Sequence, residues 1–150
     1  LLKNGKIIKL AKGMYSKHRD TSLAVFCFKP SYLGLQSALS HHGMWEQETI
    51  PVILTTRSVR TGLRTINRSN VYLRKIKNTY FFGVVHEKEG DFYIPYADLE
   101  KTFIDMVVFK QNIDKQVIQK LKKKIDYQKI QKYLRIYPPM IRKKVISLLE

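Results

Sequence analysis

Apolar positions along the chain change their period several times, and each change marks an element. Residues 23–28, Leu-Ala-Val-Phe-Cys-Phe, form an unbroken apolar run whose Val25, Phe26 and Phe28 predict a buried strand, ended by Pro30. A sharp turn at Pro30-Ser31-Tyr32 is expected to lead into a helix. There Leu35, Ala38, Leu39 and His42 recur at i, i+3, i+4 and i+7 on one face. Gly34 stands at the expected N-cap, and Gly43 follows where a left-handed helix stop favours glycine. Residues 51–55 read as a strand with Pro51 at its edge, and 71–76 and 79–86 as two strands joined at Lys77-Asn78. Glu87-Lys88-Glu89-Gly90 is a turn into a further strand over 91–94. Between these, residues 56–70 are poor in apolar side chains and predict a polar, mobile loop.

Past Ala97 the period becomes helical. Asp98 is the expected N-cap, and Leu99, Phe103, Met106, Val107 and Lys110 follow at helical spacing. Asp114 opens a helix with Val117, Ile118, Leu121 and Ile125 on one face. Asp126 opens another with Tyr127, Ile130, Leu134 and Tyr137 aligned. Pro138-Pro139 breaks that helix, and 140–149 predict a last one carrying Ile141, Val145, Leu148 and Leu149 inward. Acidic residues at the helix starts and Lys/Arg in the later turns suit the helix dipole. Strands with helices before and after them give an α+β (mixed α/β) sheet with a three-helix tail.

The first residues stand apart. Residues 1–5 read as the last turn of a helix stopped by Gly5, 6–10 as a strand, Ala11-Lys12-Gly13 as a turn and Met14-Tyr15-Ser16 as a return strand. A helix end followed by a basic hairpin is the back half of a winged helix-turn-helix; a simple hairpin strapped to the main domain reads the same way. The expected division is therefore 1–20, the end of a winged unit, and 21–150, an α/β domain whose helical tail starts at about residue 111. The chain does not open on Met, so we expect that Leu1 is not the natural beginning and that the groove-filling helices lie upstream.

Charge narrows the partners. Lys and Arg number 28 against 12 Asp and Glu, a formal net charge of +16, and a domain this basic usually meets a polyanion, nucleic acid first. A Lys-rich surface kept for solubility is the bland alternative. Arginine is the better duplex reader, because its planar fork makes two bonds to phosphate or guanine. The expected DNA contacts are Lys6, Lys9 and Lys12 on the hairpin and Arg57, Arg60, Arg64 and Arg68 in the polar loop, with the tail lysines ranked last as a solvated face. The lone Cys27 sits in an apolar run, excludes a disulfide within one chain and fits a reducing cytoplasm. No stretch approaches the roughly 20 apolar residues of a membrane span.

Catalytic chemistry finds little support. A metal-dependent nuclease needs Glu and Lys one residue apart on a strand, whereas Glu100 and Lys101 are adjacent at a helix start and point about 100° apart. Asp105, one turn on, suits an i, i+4 ion pair with Lys101. His41-His42 point to different helix faces without Cys or carboxylate partners at ligand spacing. We expect no catalytic residues, no metal and no cofactor.

The wording of Lys29-Pro30-Ser31-Tyr32, Ser37-Ala38-Leu39 and His42-Gly43 resembles the signature of the AbiEi family, antitoxins and transcriptional regulators of type IV toxin–antitoxin pairs. The resemblance continues at Gly13-Met14-Tyr15, at Phe82-Gly83 and at Ala97 to Asp105 (ADLEKTFID), with Gly34 for the commoner Ser and Thr102 for Ala. It implies an N-terminal winged helix-turn-helix, most of it missing here, and repression of the protein's own operon through inverted-repeat double-stranded DNA. It also implies neutralising a nucleotidyltransferase-like toxin without a stable complex, and no cofactor. The rival is a basic protein-interaction module without specific DNA binding.

Overall fold

The computed structural model describes residues 8–11, 14–16, 21–46, 50–66 and 68–150, with side chains from residue 22 onward. Strands β1 (Ile8–Ala11) and β2 (Met14–Ser16) pair antiparallel, Ile8 opposite Ser16 and Ala11 opposite Met14, with an irregularity between Lys9 and Ala11. The two expected strands therefore pair; Ala11, expected in the turn, belongs to β1, and Lys12-Gly13 lie outside the described residues. Residues 1–5, expected to end a helix, lie outside the described residues.

A six-stranded mixed sheet follows: β3 (Ser31–Leu33), β4 (Val52–Thr55), β5 (Gly62–Ile66), β6 (Ser69–Lys75), β7 (Val84–Glu89) and β8 (Phe92–Ala97). Its spatial order is β5-β6-β4-β3-β8-β7; β4/β6 and β3/β8 are parallel and the other pairs antiparallel. The described residues also form five α-helices: α1 (Gln36–His41), α2 (Leu99–Val108), α3 (Lys115–Lys124), α4 (Tyr127–Leu134) and α5 (Pro139–Leu149). The fold is mixed α/β, as expected.

Alternation along the strands divides the core into two layers. Tyr32, Val52, Leu54 and Ala97 join Phe103, Ile104, Met106 and the tail residues Leu121, Ile130, Leu134 and Val145 on one side. Leu33, Ile53, Val71, Leu73, Ile94 and Tyr96 pack on the other side against Leu23, Ala24, Val25 and Phe28.

Residues 23–28 are not the predicted strand. Thr21–Phe28 is a 3₁₀ helix that forms a layer of its own over the second face. An all-apolar run carries no period, so strand and helix look alike in it. Side chains satisfy the carbonyls left open at its end: Ser31 Oγ donates to Val25 O, Thr55 Oγ1 to Phe28 O at 2.6 Å, and Arg57 Nη1 to Cys27 O at 3.1 Å. The expected turn at 30–32 is instead the start of β3, a central strand with Tyr32 at 0% and Leu33 at 1% exposure on opposite faces. Gly34 is not the N-cap; Leu35 takes that place at φ 52°. Gly34 is glycine for another reason: its N–H donates to Val52 O at 3.0 Å, and a Cβ there would lie 2.5 Å from Leu54 Cδ1.

Two further expectations give way. Residues 56–70 are no loose loop, because β5 pairs with β6 through its whole length and Ile66 and Val59 anchor the segment to the second core. The predicted strand over 79–86 begins only at Val84; Asn78–Tyr80 is a 3₁₀ turn, whose ring Tyr80 stacks on Tyr137 at 4.4 Å. Among the described residues no helix is long and apolar enough to cross a membrane.

Candidate functional site

Of the seven basic positions expected to meet DNA, Lys6 and Lys12 lie outside the described residues, and Lys9 falls on β1, whose side chains are not described. The four arginines fall around the outer hairpin β5–β6. Arg64 shares a face with its partner Val71, on the side of the 3₁₀ layer, and its Nη1 reaches Arg60 O at 3.4 Å. Arg57 hangs from the end of that layer through Cys27 O. Arg68 sits at the hairpin turn with φ 65°, a backbone region that Asn or Gly usually fill. Arg57, Arg60 and Arg68 are exposed. Three of the four therefore gather on one side of one sheet edge, and the fourth lies at its tip.

The motif residues converge elsewhere, around Lys101. Its side chain is 0% exposed, and its ammonium donates to Asp105 Oδ1 and, at 2.9 Å, to Tyr137 Oη. Tyr32 Oη donates to the other Asp105 oxygen at 2.6 Å across 73 residues of sequence. The rings of Phe82, Tyr137 and Tyr32 lie 4.8, 5.7 and 5.9 Å from the ammonium. Gly83 closes this pocket of charge at φ +69°; a Cβ there would sit 2.9 Å from Lys101 Cβ. Its carbonyl accepts Asp98 N at 2.8 Å, and His42 Nε2 meets Ala97 O at 2.8 Å.

Asp98 is the N-cap of α2, as expected, accepting Lys101 N at 2.7 Å. Its second oxygen accepts Tyr133 Oη at 2.5 Å and Lys129 Nζ at 3.0 Å. Glu100 points outward from Lys101 to Lys129 Nζ at 3.2 Å and accepts Asp126 N at 3.1 Å. The tail is thus tied to α2 by charge as well as by apolar contact.

Burial sets the protonation here. It pushes the Asp105 carboxyl up, with Lys101 and the Tyr32 hydroxyl pulling it back. It lowers Lys101, opposed by Asp105. It also raises Tyr32 well above the ordinary phenol, with the Asp105 charge adding to the effect. Lys129 is different: burial is the largest single influence and lowers it, but its bonds and charge interactions with Asp98 and Glu100 together outweigh burial and raise it. These groups are consumed by one another, so the arrangement braces sheet, α2 and tail rather than presenting a reactive atom.

His41 stacks on Tyr96 at 3.8 Å, with Nδ1 3.7 Å from Glu89 Oε1, which accepts Tyr96 Oη at 2.5 Å. Burial and the neighbouring His42 lower its pKa against the pull of Glu87 and Glu89. Among the described residues no cluster of His, Cys, Asp and Glu has the arrangement of a metal site.

Sequence reading passed over the face of β6 turned toward the helices. Tyr72 and Arg74 lie there beside Gln36 and Gln111, which are 75 residues apart and joined by an amide bond of 3.0 Å. Only the folded chain brings them together.

No protein-family model matches the chain, and no curated protein does. Among solved structures, the Rv2827c protein of Mycobacterium tuberculosis is similar with a TM-score of 0.66 at 13% identity, over 96% of this chain. The chain spans 60% of the length of that protein. At this identity the likeness concerns the fold.

Proposed function

We propose that this chain belongs to a DNA-binding transcriptional regulator and antitoxin of the AbiEi type, which represses its own operon and counteracts a nucleotidyltransferase-like toxin. The observation that carries the reading is the meeting of the motif residues. Tyr32 of the Lys-Pro-Ser-Tyr motif, Phe82-Gly83, and Asp98, Lys101 and Asp105 of the helical motif are far apart in sequence, yet they build one buried polar unit. Antiparallel pairing of β1 and β2 agrees with a wing, and the net charge of +16 supplies the attraction to phosphate. No step of this activity calls on catalysis or a cofactor.

In this reading Lys9 and Lys12 neutralise phosphates without reading bases, and the arginines beside β5 serve antitoxin action. Replacing Lys9 and Lys12 by Gln should weaken binding to operator and unrelated duplex alike. Replacing Arg57, Arg60, Arg64 and Arg68 by Gln should spare operator binding and impair growth rescue from the toxin. Gel-shift titrations and a growth assay on both variants test this. Loss of operator binding in the arginine variant, with rescue intact, would reverse the two roles; unchanged binding and rescue in both would remove the reading.

A further inference from the structure

We propose that the hollow between β6, α1 and the segment after α2 is a binding site for one unpaired nucleotide, its base on Tyr72 and its phosphate on Arg74. This site lies on the opposite face of the sheet from the 3₁₀ layer and does not rest on the duplex-binding reading. The hollow has a volume of about 370 Å³ and is walled by Leu35, Val52, Tyr72, Arg74, Gln36 and Gln111. Pockets of about 300 Å³ and upward hold small-molecule ligands.

The residue types fit the parts of a nucleotide. Arg74 is half-buried, its guanidinium 4.8 Å from the Phe109 ring and 6.0 Å from the Tyr72 ring. Aromatic rings hold the plane of a guanidinium while leaving its edge donors available, and that edge is the part that grips phosphate through two parallel bonds. Among the described residues no carboxylate pairs with it. Tyr72 is 39% exposed in the middle of a strand, where a ring offers a flat platform for a base. Gln36 donates to Gln111, which in turn donates to Phe109 O at 3.1 Å. This chain fixes the Gln36 amide and leaves its carbonyl oxygen to accept from a base edge.

Strain points to the same wall. Leu35 holds φ 52° and ψ −127°, a conformation essentially reserved for glycine, at the start of α1 where the hollow begins. A duplex keeps its base faces stacked, so the hollow suits a base outside a helix: a free mononucleotide or an unpaired residue within single-stranded RNA or DNA.

The test is calorimetric titration of the full chain with AMP, GMP, CMP and UMP, with inorganic phosphate, and with single-stranded and duplex hexanucleotides at moderate salt. Saturable one-to-one binding of a mononucleotide marks a free-nucleotide site; binding of single-stranded hexamers alone marks an unpaired residue in a chain; either supports the proposal. Affinity should fall about tenfold or more in Arg74→Gln and in Tyr72→Ala, whose melting curves certify their folding. Arg74→Lys, which keeps the charge and loses the fork, should also lose affinity, and Lys143→Gln, an exposed charge on α5 outside the hollow, should keep it. Mononucleotide or single-strand binding that falls equally in Lys143→Gln or that survives Tyr72→Ala would overturn the proposal, as would no binding of any mononucleotide or single strand, or saturable binding of inorganic phosphate alone.

Discussion

Two groups of basic residues, one at the centre of the molecule and one at its rim, show how little charge alone says about role. Lys101 and Lys129 have carboxylate partners, and Lys101 is wholly buried. The arginines around β5 make at most bonds to backbone carbonyls and stay near water. A buried charge must be answered by an opposite charge and by hydrogen bonds, so the central set is fixed by the requirements of folding. Rim charges carry no such obligation and remain available to a polyanion. Function should therefore be sought where charges go unanswered, and fold where they are answered.

The sharpest test of that contrast is to orphan one central charge. Asp105→Ala leaves the Lys101 ammonium buried beside two phenols and should cost about 3–5 kcal/mol in urea unfolding; Lys101→Met paired with Asp105→Leu should recover much of the loss. Acid sharpens it further. The folded-state pKa of Asp105 is raised, so its stabilising contribution is full below the unfolded value of 3.8 and is lost as pH rises through the folded one. The penalty of Asp105→Asn should accordingly grow between pH 7 and pH 3.5, and a penalty that shrank in acid would show the ion pair outweighing burial.

Next comes Gly83→Ala, which meets Lys101 Cβ and forces a positive φ on alanine; a loss of roughly 1–3 kcal/mol is expected. Smallest in stability are the rim changes. Arg60 and Arg68 to Gln should each shift unfolding by under about 0.5 kcal/mol, and Arg57→Gln, which gives up the bond to Cys27 O, by about 0.5–1.5 kcal/mol. DNA affinity of the unaltered chain should meanwhile fall with salt at a log–log slope of roughly −4 to −5 if about five phosphates are neutralised. Equal stability losses at centre and rim would erase the contrast.

Helix starts were readable from local chemistry. Asp98 and Asp126 cap α2 and α4 with side-chain bonds, because an N-cap depends on residues only three positions apart. Asp114 precedes α3 as expected, though without such a bond. Unreadable elements were those whose form is decided at a distance. Ser31–Leu33 becomes a strand only between β4 and β8, and Thr21–Phe28 becomes 3₁₀ only where Ser31, Thr55 and Arg57 meet its carbonyls. The same holds for sites. The ion pair of Lys101 with Asp105 follows from one helical turn, but Tyr32 and Tyr137 reach it across the fold. Arg68 and Arg64 were visible as charges, whereas the strand that orders them was hidden by its few apolar residues.

The place of β3 has a consequence in time. It lies mid-sheet between β4, its near neighbour in sequence, and β8, which is synthesised some sixty residues later. A ribosome that has delivered the chain through Lys75 has made β3, β4, β5 and β6 but not the strand that covers the flank of Tyr32 and Leu33. Until β8 arrives, that flank is an open apolar edge, ready to take a strand from any neighbour. The motif that resembles a family signature is thus also the last seam of the sheet to close, and slow translation between Lys75 and Ala97 would leave the nascent chain most prone to aggregate.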